Sequence, residues 1–391
     1  MLRVGFVHEY HEGWLGGLNY FRNLLSAIER LPGRSIEAVV FAGSSLPEHH
    51  VNGLSNTEVV RSSLLNPGTP RSFARRLLKR VSARDLALEW LLRRHGIAVL
   101  SHSGYLGSGG RIPAIGWIPD FQFLHLQDFF QPDELKRRIA QSRDVCRFCE
   151  CVLLSSHDAQ GDLKNFSPAC AEKSRVLQFV ADVSFDERKP SGLELQQRYG
   201  FTGDYLLVTN QFWAHKNHNV IIEALRVLRA RGRKVTVLAT GHTHDHRQPQ
   251  YFDSLMRAAK DSRVDDCFRV LGVLPREDLL GLMRDAVALL NPSLFEGWST
   301  VVEEAKSLGK RIILSDIAVH REQAPRDGLY FPARDAEALA GAMEEAMAAV
   351  DRVQAARMME EARELLPQRR RAFAQNYQEI VMEVASAGPA R

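Results

Sequence analysis

The sequence predicts an α/β chain of two domains, each a parallel sheet wrapped by helices. Short apolar runs recur along its whole length, each followed by a loop rich in Gly, Pro, Ser or Asn and then by an amphipathic stretch. The length, 391 residues, exceeds one typical α/β domain and suits two of about 180–200 residues. The first domain is placed at 1–185 and the second at 186–368. Between them 182–190 is polar, with Asp186, Glu187, Arg188 and Lys189, as an interdomain linker would be.

Composition excludes several classes. A hydrophobic content of 45% with 25% charged residues is that of an ordinary water-soluble globular protein. A formal charge of +4 is too small to argue for nucleic acid as a partner. No apolar run is long enough to span a bilayer. The first apolar run, 2–7, is too short for a signal segment and has no cleavage site after it, so a cytoplasmic protein is expected. Five cysteines point to a reducing compartment rather than a disulfide scaffold. Cys146, Cys149 and Cys151 form a C-x2-C-x-C cluster, but no second ligand pair follows at zinc spacing, so no metal is expected.

Taken in order, 2–7 is a first strand that runs through a His-, Glu- and Gly-rich loop to a helix over 18–30. Gly16 and Gly17 at that helix start allow backbone to approach a ligand closely. Strands are expected at 36–41, 97–100, 113–118, 151–154 and 175–180. Between the first and second of these, 71–84 holds Arg71, Arg75, Arg76, Lys79, Arg80 and Arg84 with no acid among them. Phe73, Leu77, Leu78 and Val81 fall there at helical spacing, giving a basic amphipathic helix. Its ordinary role is a solvated face on a packed helix, and its alternative role is contact with an anionic membrane surface. After 113–118, Asp120 and His125 sit in a Phe-rich segment at a strand's carboxyl end, where site residues gather.

The second domain opens with a strand at 205–209, the run Gln211-Phe-Trp-Ala-His-Lys216-Asn, and a helix over 220–231. Further strands are expected at 234–239, 268–275, 286–290 and 311–314, and helices over 335–350, 353–366 and 369–385. Three histidines at 242, 244 and 246 read as a loop beside a ligand rather than a metal tract. The stretch 291–309 is the most informative. It follows the strand at 286–290, and Thr300 and Glu303 read as a capping box at the start of a helix that ends at Gly309. The amides of 298–302 and the helix dipole then favour an anion such as phosphate. Glu296 and Glu304 flank that position, and a carboxylate accepts two hydroxyls at once, as a vicinal diol requires.

The pattern Asn-Pro-Ser, then Glu296-Gly297-Trp298 and, after seven residues between the two acids, Glu304-Ala resembles the E-x7-E motif of the retaining family-4 glycosyltransferases. These have the GT-B fold, two Rossmann-like domains that lie across a cleft from one another. The resemblance is strongest over 205–335. It implies that Lys216 and the helix start at Gly297, Trp298, Ser299, Thr300 and Val301 hold a nucleoside diphosphate. It implies that Glu304 accepts the ribose hydroxyls and Glu296 those of the donor sugar. Gly16 and Gly17 would match the glycine loop aimed at donor phosphates and acceptor, and main chain at Gly272 and Val273 would edge the base. Two departures stand out. Gln211 replaces an Arg that often shares the diphosphate, and Pro119 replaces a His beside the reacting carbon, which leaves Asp120, or else His125, as the polar group there.

The resemblance further implies transfer with retention by front-face attack, no metal, and a last helix, 369–391, that crosses back onto the first domain. The partners implied are a nucleotide-sugar donor and a glycan or lipid-linked acceptor, as in surface-polysaccharide or lipopolysaccharide assembly. A nucleotide-sugar epimerase and a non-catalytic nucleotide-sugar-binding protein are the alternatives. A dinucleotide oxidoreductase is disfavoured because no Gly-x-Gly-x-x-Gly opens either domain.

Overall fold

A computed structural model of the chain describes residues 1–8, 15–48, 57–102, 104–183 and 190–388. The loop at 9–14 and most of the expected linker, 184–189, lie outside the described residues. The chain divides into two compact units. One comprises Met1–Phe121, Pro132–Val180 and Gln368–Arg391, the other Gln122–Gln131 and Ala181–Pro367.

The first unit is built on seven parallel strands, β1 (Leu2–Val7), β2 (Ile36–Gly43), β3 (Glu58–Ser62), β4 (Ile97–His102), β5 (Ala114–Ile118), β6 (Cys151–Leu154) and β7 (Ser174–Val176). Their order is β3-β2-β1-β4-β5-β6-β7. The central strands are buried along nearly their whole length because helices cover both faces, which is why they read as continuous apolar runs. Val39, Phe41, Leu92 and Leu100 are among the side chains at the centre of this core. β3 has no such signature. It is an edge strand with no fully buried residue, and its exposed Glu58 and Arg61 interrupt the apolar run.

The second unit has six parallel strands, β8 (Leu206–Val208), β9 (Val237–Thr240), β10 (Phe268–Gly272), β11 (Ala288–Asn291), β12 (Ile312–Ser315) and β13 (Gly328–Phe331). They lie in the order β10-β9-β8-β11-β12-β13. Leu206, Val208, Ile221, Leu225, Leu290 and Phe331 belong to its core. The sheet order reverses direction between β8 and β11, the kind of switch point beside which α/β sheets bind ligands. Both units are Rossmann-like, as the sequence predicts. β13, a four-residue edge strand paired with β12, was not foreseen.

Three expectations need correction. Helices expected separately at 353–366 and 369–385 form one helix, Arg352–Ala387, that contains Pro367. Proline removes one backbone donor from a helix interior, but a helix-favouring sequence continues on both sides of it. The division between the units falls at this proline, with Gln368 onwards in the first unit. There Tyr377 is buried and donates to Ser101 Oγ at 2.8 Å. Second, Cys146 is joined to Cys170 by a disulfide, with Cα atoms 5.4 Å apart, where none was expected. The end of one helix and the short helix Pro168–Ala171 bring the two together across 24 residues of sequence, a contact that spacing alone does not reveal. Cys149, Cys151 and Cys267 are free and buried. Third, the helix Leu15–Glu29 begins earlier than expected, so that Gly16 and Gly17 form its first turn.

Candidate active site

The second unit gathers most of the candidate residues at the carboxyl ends of β8 and β11. β11 ends in Asn291, whose buried amide is fully bonded. It donates to Ser299 Oγ at 2.6 Å and to His320 Nε2 at 3.3 Å, and it accepts from Asn210 at 3.0 Å and Ser293 Oγ at 2.7 Å. His320 Nδ1 lies 2.8 Å from the Ser315 carbonyl, so that nitrogen carries the hydrogen and Nε2 is the acceptor. This network fixes the loop that carries Glu296. Glu296 Oε1 accepts from Lys216 Nζ and from Ser293 Oγ, each at 2.7 Å. Burial pushes the Glu296 carboxyl up. The Lys216 ammonium, the His320 ring and the two hydrogen bonds outweigh that, leaving it below the ordinary glutamate value. His320 itself is held low by burial although Glu296 faces it, so near neutral pH its ring is uncharged and Lys216 is the compensating cation.

Lys216 ends the short turn Ala214–Lys216 after β8. The turn is pinned from three sides. Ala214 N–H donates to buried Asp245 at 3.0 Å, and the His215 carbonyl accepts from Leu294 N–H at 2.8 Å. Asn217, at φ 58°, bonds the carbonyls of Pro292 and Ala333 at 3.1 and 2.7 Å. Asparagine is among the few side chains that tolerate this left-handed conformation. Next to it, Gln211 is half-buried against the loop that leaves β9. That approach depends on Gly241, at φ 136°, where a Cβ would stand 2.6 Å from the Asn210 carbonyl oxygen and 2.9 Å from Gln211 Cα. Gly241 N–H in turn donates to the carbonyl of Gly272, which ends β10 at φ 72°, and Val273 beside it is exposed.

The helix Thr300–Leu308 starts one residue earlier than expected. Ser299 is the N-cap and Thr300 the first helical residue. Glu303 does not reach back to the cap. It is buried and bonded by Gln323 Nε2 at 3.1 Å and Lys306 at 3.2 Å. Gln323 also accepts from Ser299 N–H at 3.0 Å, and Val302 N–H turns to Ser299 Oγ. Two amides expected to be open to an anion are therefore taken up internally. By helix geometry those of Thr300 and Val301 remain as the first-turn donors without an intrahelical acceptor. Gly297 precedes them, and Trp298 and Val301 are buried. Glu304, almost fully buried, is met by Arg276 Nη1 at 2.5 Å. Arg276 opens the helix that follows β10 and went unnoticed in the sequence, because its pairing with Glu304 is purely tertiary.

His125 belongs to this unit as well. It is exposed at the end of the short helix Gln122–His125, with its ring 5.1 Å from that of Phe295, the neighbour of Glu296. Arg247 holds the same segment, bonding Gln122 Oε1 at 3.0 Å and lying 4.1 Å over the Phe130 ring.

Asp120, Gly16 and Gly17 are in the first unit, just beyond the carboxyl ends of β5 and β1. Asp120 is half-buried, Gly16 exposed and Gly17 buried. The sequence reading missed a polar chain at the end of β4. There Tyr20 Oη lies 2.7 Å from His102 Nε2, Ser101 Oγ 2.8 Å from His102 Nδ1, and Tyr377 donates to Ser101. Trp117 stacks on Tyr20 at 4.3 Å, and burial lowers the His102 pKa to about 3.

A cavity of about 620 Å³ in the second unit contains none of the candidate residues. It lies at the amino ends of the strands, by Tyr205, Val287 and Lys310, and burial lowers the Lys310 pKa to about 8. Its size gives it no claim on the chemistry, since ligands of such sheets sit at the other end.

Residues 203–349 match the family described as glycosyl transferases group 1. No curated protein sequence matches the chain significantly. Among solved structures, HepE of Anabaena in complex with UDP and glucose is similar, with 15% identity over 98% of this chain and 100% of that chain and a TM-score of 0.70. The UDP-forming α,α-trehalose-phosphate synthase from Burkholderia xenovorans has 15% identity over 97% and 100%, with a TM-score of 0.63. The lipopolysaccharide outer core galactosyltransferase WaaB in its apo form has 14% identity over 98% and 99%, with a TM-score of 0.61. Residues 203–349 of the second unit thus resemble a glycosyltransferase group 1 domain, and the whole chain has the GT-B fold of two Rossmann-like domains found in the structures it resembles.

Proposed function

We propose that the protein is a retaining glycosyltransferase that moves a sugar from a nucleotide-diphosphate donor to a hydroxyl of a glycan or lipid-linked acceptor. The observation that carries this reading is the group formed by Lys216, Glu296, Glu304 and the first turn of the helix Thr300–Leu308 at the carboxyl ends of β8 and β11. One ammonium and two open amides suit a diphosphate. Two carboxylates with seven residues between them suit two diols, the ribose at Glu304 and the donor sugar at Glu296.

In the reaction a bond forms between the acceptor oxygen and the anomeric carbon, and the bond from that carbon to the diphosphate breaks. The acceptor proton passes to the departing phosphate oxygen on the same face. Charge develops on the diphosphate, so donors already fixed around it stabilise the transition state. Lys216 is fixed in this sense, because its turn is tied to Asp245, Leu294 and Asn217. It exchanges Glu296 for phosphate when the donor binds, and Glu296 turns to the sugar hydroxyls. Asp120 is assigned to the acceptor side of the anomeric carbon, with His125 as the alternative, and no metal is required. Likeness to WaaB motivates an acceptor from lipopolysaccharide or another surface polysaccharide.

The test is release of nucleoside diphosphate from UDP-, GDP-, ADP- and dTDP-sugars, with UDP-glucose first because HepE of Anabaena was solved with it. NMR of the product then reports the anomeric configuration. Release with retained configuration supports the reading. An inverted product overturns the retaining assignment, and conversion of the donor to its epimer without acceptor overturns transfer.

A further inference from the structure

The helix Pro70–Ser82 is attached to the first unit by its polar side. Ser72 is buried, and its N–H is capped by Thr69. Arg75 bonds both oxygens of buried Asp85 at 3.0 and 3.1 Å, and the Lys79 ammonium lies 4.5 Å from the centre of the Tyr105 ring. Ser72, Arg75 and Lys79 fall at i, i+3 and i+7, one side of a helix. Phe73, Leu77 and Val81 fall at i, i+4 and i+8 on the other side, with Leu78 beside them. These four are 64, 53, 81 and 55% exposed. A surface helix ordinarily buries its apolar stripe and turns its charges to water. This helix does the reverse.

Charge borders the stripe. At 100° per residue, Arg76 and Arg80 lie along one edge and Arg71 along the other, and none of the three has a carboxylate partner among the described residues. Arg75 and Arg84 are by contrast neutralised by Asp85 and Glu89. The next helix, Leu86–Arg94, adds exposed Leu86 and Trp90.

We propose that this face docks on an anionic lipid surface. The stripe enters the boundary between headgroups and acyl chains, and Arg71, Arg76 and Arg80 meet lipid phosphates. An apolar stripe rimmed only by cations complements a surface with an apolar interior and anionic headgroups. It does not complement itself, because a two-fold pairing of the patch would set the same arginines against one another.

The test is co-sedimentation of the full chain with vesicles of phosphatidylglycerol and phosphatidylcholine, and with phosphatidylcholine alone. No donor is needed, so the outcome is independent of the transferase reading. The wild type is expected to pellet with the anionic vesicles and to be released by salt. Leu77→Glu/Val81→Glu should abolish pelleting, and Arg76→Ala/Arg80→Ala should weaken it about thirty-fold. All four positions are exposed, and a thermal melt of each variant checks that the fold is kept. Wild-type protein that stays in the supernatant, or variants that pellet as the wild type does, would overturn the proposal. So would a dimer in sedimentation velocity that Leu77→Glu/Val81→Glu dissolves, which would assign the face to a second copy.

Discussion

Lys216 and Glu296, eighty residues apart in sequence, meet at 2.7 Å where β8 and β11 end side by side. Both are largely buried, with side chains 17 and 10% exposed, so each is the other's main compensation for lost water. Removing one leaves the other in a poor state. Lys216→Ala should cut transfer by about a hundredfold or more, because a fixed cation beside the developing charge is lost. Glu296→Gln tests the pair through pH. The folded carboxyl titrates below its ordinary value of 4.5, so its ionised form contributes stability above that pH and loses it as pH falls through the folded value. Melting curves of Glu296→Gln below pH 4.5 should therefore fall less steeply than those of the wild type.

Arg276 holds Glu304 at 2.5 Å. Under the proposed function Glu304 meets the ribose equally in the ground and transition states, so this pairing should act on binding. Arg276→Ala should raise KM for the donor about tenfold and leave kcat within about twofold. A matching loss in kcat would place Arg276 on the departing diphosphate instead.

Burial holds His102 and His218 at about 3. Unfolded histidine gains a proton near pH 6.5, so between those values the unfolded state binds more protons and stability falls as pH drops. The slope is about 1.4 kcal/mol per pH unit for each ring. His218 stacks on Phe212 at 4.4 Å. His218→Phe should keep that stack and remove one such increment from the dependence measured by urea unfolding between pH 4 and 6.

Gly241 is a backbone requirement. Any Cβ there meets Asn210 and Gln211 at less than contact distance, in a conformation that L-residues rarely adopt. Gly241→Ala should lower Tm by several degrees and weaken nucleotide binding by shifting the turn that carries Lys216. A variant with unchanged Tm and affinity would show that the turn tolerates the shift.

The sheet strands were legible because burial on both faces makes them apolar runs with loop signals at their ends. β3 and β13 were not, since the edge strand β3 is of mixed polarity and β13 has only four residues and opens on glycine. The loop from Asn291 to Glu304 stood out as a candidate because its polar residues are close together in sequence. Arg276, Asn217, His320 and Gln323 did not, because their roles arise only where separate strands end together. The same holds for the Tyr20–His102–Ser101–Tyr377 chain, which joins three segments across the first unit. At Ser299 the sequence signal misled by one residue, since Ser and Thr are both good caps and only the fold selects between them.

The most direct measurement is a thermal-shift titration of UDP, GDP, ADP and dTDP against the wild type and Glu304→Ala. A ligand at a hundred times its dissociation constant adds about 2.7 kcal/mol of stability, which a melting curve registers. One nucleotide is expected to stabilise the wild type, and Glu304→Ala, still folded, to lose most of that shift. Equal stabilisation of both proteins would contradict the placement of the nucleotide at Glu304, and no shift with any of the four would contradict a site for these nucleotides altogether.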